Sequence, residues 1–299
     1  MGEPAVLESC WVDVDGTSVH YVDLPGPADG DERPTFVLVH GLGGSLVNWD
    51  SLAPLLAEHG RVLALDLGGF GWTQSADASV PANRKLLTGF IHALDLPPVV
   101  LVGNSMGGML SAMHAVEDPT SVAQVVLVDP ALPGNPKHRP SPTVAAVFST
   151  YLVPPLSRRL MKVRATKVTP EQAVREMLAL VTHDRRQVPA WLRARHIQTA
   201  QDRAAKFGAD ADTAFLAAAK SVVKTILKKP SYTRVFNSID RPVLLLHGAH
   251  DRLVSVGAAR AMAHSHPNWA YAEGAHLGHC PMFEDPEWVR DHILAFGQA

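Results

Sequence analysis

The sequence predicts an α/β protein: a doubly wound, mostly parallel eight-stranded sheet with a helical cap inserted after the sixth strand. Three observations predict it. Short apolar runs rich in β-branched residues recur near both ends of the chain, with helical stretches between them. Runs unbroken by polar alternation suit a parallel sheet covered on both faces, and their alternation with helices implies right-handed crossovers. From about Pro133 to Ser238 the alternation stops and only helical patterns remain. Finally, Val99–Val102 leads directly into Gly-Asn-Ser-Met-Gly-Gly at 103–108. That is a strand delivering a serine into a turn too tight for flanking side chains.

Each element has its own local reason. Ser9–Val14 and Thr17–Leu24 flank Asp15-Gly16, a hairpin signal that predicts an antiparallel pair at the sheet edge. The parallel strands are predicted at Thr35–Val39, Arg61–Leu65, Val99–Val102, Val125–Val128, Val243–Leu246 and Trp269–Ala272. The helical stretch begins in a proline-rich segment (Pro133, Pro136, Pro140, Pro142). Helices follow at Val144–Leu152, at Pro170–Val181 behind the cap residue Thr169, at Pro189–Lys206 and at Thr213–Leu227. The expected division is a core of residues 1–133 and 239–299 and a cap of residues 134–238. A helical insertion between two strands sits over their carboxyl ends, where it excludes water and shapes a pocket.

Composition narrows the function classes. The 299 residues suit one large domain carrying an insertion, and 46% hydrophobic residues supply a sizeable core. A net charge of −2 calls for neither a nucleic acid nor an anionic membrane. Cys10 and Cys280 make no disulfide framework, so a reduced, cytoplasmic setting is expected. The first residues carry no secretory signal, and Val6 breaks the myristoylation pattern. The longest apolar candidate, Thr143–Leu156, is short and interrupted by Pro154 and Pro155, so no integral membrane span is expected.

The serine of the tight turn is Ser105. Gly103 and Gly107 lack the β-carbons that would collide across it, and a helix starting at Met106 aims its free N–H groups at the same spot. A nucleophilic serine needs a base, an orienting acid and donors for an oxyanion. Candidates follow predicted strands. His247-Gly248-Ala249-His250-Asp251 comes after one, and Glu273-Gly274-Ala275-His276-Leu277-Gly278-His279-Cys280 after another. Asp251 would hold one ring nitrogen of His279, which would take the Ser105 proton. Thr35–Val39 runs into His40-Gly41-Leu42-Gly43-Gly44, and the N–H groups of Leu42 and Met106 are the expected oxyanion donors.

Other residues carry plainer alternatives. His276 rivals His279 as base and otherwise packs in its loop. Asp129 rivals Asp251 as acid and otherwise bonds loop amides, while Asp66 organises the turn through Gly71. The histidines 247, 250, 276 and 279 resemble no common zinc spacing, so no metal is expected. Cys280 reads as a small buried apolar residue. Asn104, Trp49, Phe148 and Trp191 are candidates for touching substrate; helical spacing alone makes most cap apolar residues cap core. The basic run Arg158, Arg159, Lys162 and Arg164, and that from Lys220 to Lys229, offer charge to a lipid headgroup or an acidic substrate, but read first as a solvated helix face.

These motifs resemble the α/β-hydrolase superfamily, in its helical-cap branch. The resemblance rests on His40-Gly41, Asp66-Leu67-Gly68-Gly69-Phe70-Gly71, Gly103 to Gly107, His247-Gly248 with Asp251, and Gly278-His279-Cys280-Pro281 through Glu284, Pro286 and Glu287. It spans about residues 10 to 133 and 238 to 296. It implies a Ser105–Asp251–His279 triad in the family's chain order, with Asp251 favoured over Asp129 because it follows His247-Gly248. Relatives with an aspartate nucleophile, the epoxide hydrolases and haloalkane dehalogenases, are set aside by Ser105. The elbow is similar to that of C–C bond hydrolases acting on ring-opened aromatics, although those carry Trp where this chain has Cys280. Cofactor-free perhydrolases share the triad. The resemblance also admits binding proteins of this fold, against which a complete triad and two oxyanion signals argue. The expectation is a cofactor-free serine hydrolase acting on a small-molecule ester, thioester or lactone of a mainly apolar acid.

Overall fold

A computed structural model of the protein describes residues 7–28, 33–134, 137–138 and 142–298. Residues 1–6, with Val6, and the prolines at 136 and 140 lie outside the described residues. The chain opens with β1 (Ser9–Val14) and β2 (Thr17–Leu24), paired antiparallel. Asp15 (φ 49°) and Gly16 (φ 81°) form the two-residue turn between them, both left-handed as a type I′ hairpin demands. Six more strands follow: β3 (Thr35–Val39), β4 (Arg61–Leu65), β5 (Val99–Asn104), β6 (Val122–Val128), β7 (Val243–Gly248) and β8 (Ala270–Gly274). The sheet order is β1-β2-β4-β3-β5-β6-β7-β8, parallel from β4 to β8.

β3 lies between β4 and β5, so the strand order reverses there and the carboxyl ends of β3 and β5 open a crevice. Register sets what meets in it. Val39 pairs with Gly103, and Asn104 with Val128. The loop after β3, the elbow after β5 and Asp129 after β6 therefore emerge side by side. Trp269 falls outside β8 because its N–H closes a turn onto the His266 carbonyl at 2.9 Å.

The sheet is buried on both faces. Val37, Val39, Leu63, Leu65 and Leu101 enter one core; their neighbours Phe36, Leu38, Val62, Ala64, Val100 and Val102 enter the other. This alternation is the two-residue period of a pleated strand, invisible in a sequence that is apolar throughout. Helices α1 (Ala53–Ala57), α2 (Val80–Ala93) and α3 (Met106–Glu117) flank the first half.

Between β6 and β7 stand α4 (Pro142–Thr150), α5 (Pro154–Lys167), α6 (Pro170–Val181), α7 (Ala190–Phe207), α8 (Ala209–Leu227) and α9 (Lys229–Asn237). The helices α10 (Val256–Ser265), α11 (Pro281–Glu284) and α12 (Pro286–Gly297) complete the chain. α6 begins as expected: the Thr169 hydroxyl accepts the Gln172 N–H at 3.2 Å, and the Gln172 side chain accepts the Thr169 N–H at 2.9 Å, a reciprocal capping box. α5 and α9 were not expected. Pro154 and Pro155 read as breakers, but a proline in the first turn is pre-shaped for a helix and loses no bond there; the same holds for Pro230 in α9.

The cap helices are not equally seated. Val174, Leu178, Val181 and Leu192 of α6 and α7 belong to one core, and Ala218, Val222, Tyr232 and Phe236 of α8 and α9 to the other. Polar ties reinforce them. Arg203 of α7 donates to the carbonyls of Gly69 and Gly71, and the Tyr232 hydroxyl donates to the Ala131 carbonyl. Arg195 of α7 pairs with Asp50 at 3.2 Å. Burial pushes the Asp50 carboxyl up to about 6, against the pull of Arg195, and Asp50 Oδ1 has no hydrogen-bond partner among the described residues.

A carboxyl with a raised folded pKa binds its proton more tightly in the native state, so stability falls as pH rises through the window from about 4 to about 6. Asp50→Asn removes that penalty. In denaturant titrations, the difference between variant and parent is expected to favour the variant at pH 7 over pH 4 by about 2–3 kcal/mol. An equal difference at both pH values contradicts the assignment.

Candidate active site

The elbow is the most constrained backbone in the crevice. Ser105 adopts φ 55° and ψ −115°, a conformation that costs a non-glycine residue roughly 1–3 kcal/mol. Its neighbours hold it there. The Ser105 N–H donates to the Val128 carbonyl at 3.1 Å, and its own carbonyl accepts from Met109 at 3.1 Å and Ala131 at 2.9 Å. A β-carbon on Gly107 would lie 2.0 Å from the Val39 carbonyl oxygen, and one on Gly103 2.5 Å from the Gly107 carbonyl. Both positions therefore exclude a side chain. Ser105 is half-buried, whereas its neighbours on either side are buried.

The loop after β3 lies against the elbow: a β-carbon on Gly41 would sit 3.0 Å from Ser105 Cβ. His40 shapes this loop. Its Nδ1–H donates to the Gly41 carbonyl at 2.8 Å and its Nε2 accepts the Leu67 N–H at 3.0 Å, while burial lowers its basicity. A neutral imidazole with a defined tautomer results. Among the described residues, neither the Leu42 N–H nor the Met106 N–H donates a hydrogen bond. Met106 is the first residue of α3, so its N–H has no intrahelical acceptor. Asp66 accepts from Leu46 N–H at 2.8 Å and Trp72 N–H at 2.8 Å and pairs with His20 at 2.7 Å, the organising role read for it.

His279 and Asp251 form a buried pair. His279 Nδ1 donates to Asp251 Oδ2 at 2.7 Å, with side chains 4% and 0% exposed. Asp251 Oδ1 accepts the N–H groups of Leu253 at 2.7 Å and Val254 at 3.0 Å. Burial alone would raise this carboxyl; the charge and hydrogen bond of His279, with His247 and the Val254 amide, outweigh it and hold it below its ordinary value. In the neutral ring this bond puts the proton on Nδ1 and the lone pair on Nε2. No hydrogen bond joins Nε2 to Ser105 Oγ among the described residues, and such bonds often tighten only when substrate binds. The rival His276 is exposed and makes no hydrogen bond among the described residues.

Behind this pair lies a second acid. Asp129 (φ 44°) is fully buried; its Oδ1 accepts the Gly248 N–H at 2.9 Å and its Oδ2 has no partner among the described residues. His247 stands between the two carboxyls, with Nδ1 3.5 Å from Asp129 and Nε2 3.5 Å from Asp251. His247 Nε2 lies 3.1 Å from the Val254 carbonyl, which only accepts, so Nε2 carries the proton. Burial lowers the basicity of His247, leaving Nδ1 as a bare lone pair toward Asp129. Burial, and then the charge of Asp251, raise the Asp129 carboxyl well above its ordinary value. Asp129 is thus pushed toward its neutral form and Asp251 toward its ionised one, as expected of two close buried carboxyls. Asp129, His247 and Asp251 bring three potential ligand atoms within 4.8 Å, but Asp251 is already engaged by His279 and two amides.

Two residues expected at substrate serve the scaffold instead. Trp49 is wholly buried in the core beneath α7, because the 3-10 turn Leu46–Trp49 points inward rather than into the crevice. Asn104 is also buried; its side-chain NH₂ donates to the carbonyls of Val128 at 3.1 Å and His279 at 3.0 Å. It staples the elbow to the histidine loop. Trp191 is half-buried against the same core as Trp49. Phe148 contacts Tyr151, which contacts Phe215 at 5.8 Å between ring centres. Phe215 in turn sits 3.1 Å from where a β-carbon on Gly43 would be. Phe215 was missed because its helix looked like any other cap helix.

Glu284, part of the family pattern, is a structural anchor. Its carboxylate accepts the N–H groups of His183 and Asp184 at 2.8 Å each and of Gly278 at 2.7 Å. It thus ties the loop after α6 to the histidine loop, and the Cys280 N–H adds a bond to the Val181 carbonyl at 3.0 Å. Cys280 itself is buried, which pushes its thiol well above the ordinary range.

Asp129→Asn reproduces a neutral acid in shape and charge, so the pH dependence of turnover is expected to stay within about threefold of the parent at every pH. Loss of a negative charge there would instead move the acid limb to lower pH. Asp251→Asn is expected to cost roughly 10⁴-fold by presenting the wrong tautomer of His279. Pre-steady-state or steady-state rates across pH separate the two.

Comparison with known proteins agrees with this geometry. Residues 34–286 match the family model described as the alpha/beta hydrolase fold. The chain is 28% identical over 286 residues to an uncharacterized hydrolase, YugF, of Bacillus subtilis (strain 168), covering 95% of each chain. It is 28% identical over 266 residues to a pimeloyl-[acyl-carrier protein] methyl ester esterase of Aromatoleum aromaticum (strain DSM 19018 / LMG 30748 / EbN1), covering 85% of this chain and 94% of that one. It is 26% identical over 303 residues to a 2-hydroxy-6-oxo-6-(2'-aminophenyl)hexa-2,4-dienoic acid hydrolase of Metapseudomonas resinovorans, covering 98% and 92%. With the sheet order, the elbow and the family match in agreement, this chain belongs to the alpha/beta hydrolase fold family.

Proposed function

We propose that the protein is a serine hydrolase that cleaves a carboxylic ester, thioester or lactone of a mainly apolar acid through an acyl-enzyme. One observation carries the reading: a left-handed Ser105 at the start of a helix, whose neighbour Asn104 bonds the backbone of His279, itself in a buried pair with Asp251. A serine held in that strain has one evident use, to present its oxygen to a reacting carbonyl.

In this reading Ser105 Oγ attacks the acyl carbon while His279 Nε2 takes its proton. Asp251 fixes the tautomer and stabilises the imidazolium. The N–H groups of Leu42 and Met106 receive the oxyanion, each worth about 3 kcal/mol of barrier. His279 then protonates the leaving group, and a water activated by the same nitrogen releases the acid. Asn104 acts at one remove, holding the His279 backbone to the elbow. The rings of Phe215, Tyr151 and Phe148 supply an apolar wall beside the oxyanion loop, suited to an acyl chain. The esterase relative of Aromatoleum aromaticum supports this class of substrate.

A second reading, hydrolysis of a C–C bond in a vinylogous diketone, is favoured by the Gly-Asn-Ser-Met-Gly-Gly elbow and by the relative of Metapseudomonas resinovorans. Cys280, in place of the Trp that follows the histidine in such enzymes, favours the ester.

A fluorophosphonate probe is expected to label the parent and not Ser105→Ala, and turnover of 4-nitrophenyl esters is expected to fall by roughly 10⁴-fold or more in that variant. Rates on those esters compared with a ring-fission dienone decide between the readings. Fast loss of the dienone chromophore with no ester turnover overturns the first.

A further inference from the structure

The basic run of the cap is exposed to solvent, as read from the sequence, but it shares its helix with exposed apolar residues. α5 carries Arg158, Arg159, Lys162, Arg164 and Lys167 and no acidic residue, in a chain whose net charge is −2. Along the same helix Leu156, Leu160 and Val163 are 43%, 48% and 46% exposed. Their spacing of four and three residues puts all three on one side of the helix. Val153, three residues before Leu156, is 49% exposed and extends the row. Ser157, about 100° round the helix from Leu156, is buried. At 100° per residue, Arg159 and Arg164 fall on either flank of the apolar row.

The neighbouring acids do not neutralise this charge. Glu176 of α6 is taken by Arg164 at 2.5 Å and Glu171 by Arg175 at 2.9 Å. Arg158, Arg159, Lys162 and Lys167 form no ion pair among the described residues. A contiguous row of large aliphatic side chains at the surface marks an interaction site more often than accident. Long basic side chains beside it let their stems follow an apolar phase while the charges stay in water. Whereas α6 to α9 bury apolar residues in the two cores, α5 packs on α4 and α8 and keeps its own apolar row outside.

We propose that α5 is a docking face for an anionic phospholipid surface, lying in the plane of the bilayer with Leu156, Leu160 and Val163 in the interfacial region and its cations among the headgroups. Charge selects this occupant. A second copy would bring another helix with five cations and no acid against the first, whereas anionic headgroups complement every unpaired charge on it. Docking would set α4, with Phe148, next to the lipid. The proposal does not depend on the catalytic reading, and its test uses no turnover.

The test is flotation of the full chain with vesicles of phosphatidylcholine alone and of phosphatidylcholine mixed with phosphatidylglycerol. Partitioning to the mixed vesicles is expected to be about tenfold or more the stronger and to decline with added salt. Leu156→Ser with Leu160→Ser and Val163→Ser is expected to abolish binding to both; Arg159→Gln with Lys162→Gln and Lys167→Gln is expected to remove the preference for anionic lipid. Circular dichroism of each variant verifies folding, and the salt series on the parent chain stands alone if one fails. Absence of binding, equal binding to both vesicles, or binding unaffected by salt overturns the proposal. So does a parent dimer that the serine variant converts to monomer, which would assign the face to a second copy.

Discussion

The structure depends on one strained residue. Ser105 sits in a left-handed conformation because three backbone hydrogen bonds, to Val128, Met109 and Ala131, over-determine it. The bond to Val128 depends on β5 lying beside β6 in the correct register, whereas the Met109 bond is the first of α3. The close packing of Gly107 on the Val39 carbonyl completes the clamp. Strain of this size persists only when the surroundings pin it, so the sheet and the elbow are a single unit. Loosening the strand order would release the serine.

Charge behind the elbow is arranged with similar economy. Two carboxyls, Asp129 and Asp251, lie fully buried with His247 between them. They cannot both ionise cheaply. Position decides which one does: Asp251 has two amides and the His279 ring, whereas Asp129 has one amide and an unpartnered oxygen. The single negative charge therefore rests beside His279, where it orients the ring.

The cap is tied to this centre at several points. Glu284 gathers three N–H groups from the loop after α6 and the histidine loop, and Arg203 reaches the turn that Asp66 organises. Phe215 lies over Gly43, beside the amides proposed to hold an oxyanion. The inner cap helices thus share the cores of the sheet, while α5 faces outward with its apolar row and its cations. One insertion carries both an inward and an outward surface.

Much of this was legible in the sequence. Apolar runs marked the six parallel strands, Asp15-Gly16 marked the hairpin, and glycines around Ser105 marked the turn, because each is a local preference of backbone or side chain. His279 and Asp251 were legible from motif and order. Tertiary contact alone decided the rest. Trp49 and Asn104 look like pocket residues until the 3-10 turn buries one and the other is spent on the His279 carbonyl. Burial, and then the charge of an acid 122 positions away that follows β7, raise the Asp129 carboxyl. Local sequence determines which conformations a segment prefers; which charges and rings become neighbours is settled only when distant strands pair, and burial then turns that proximity into chemistry.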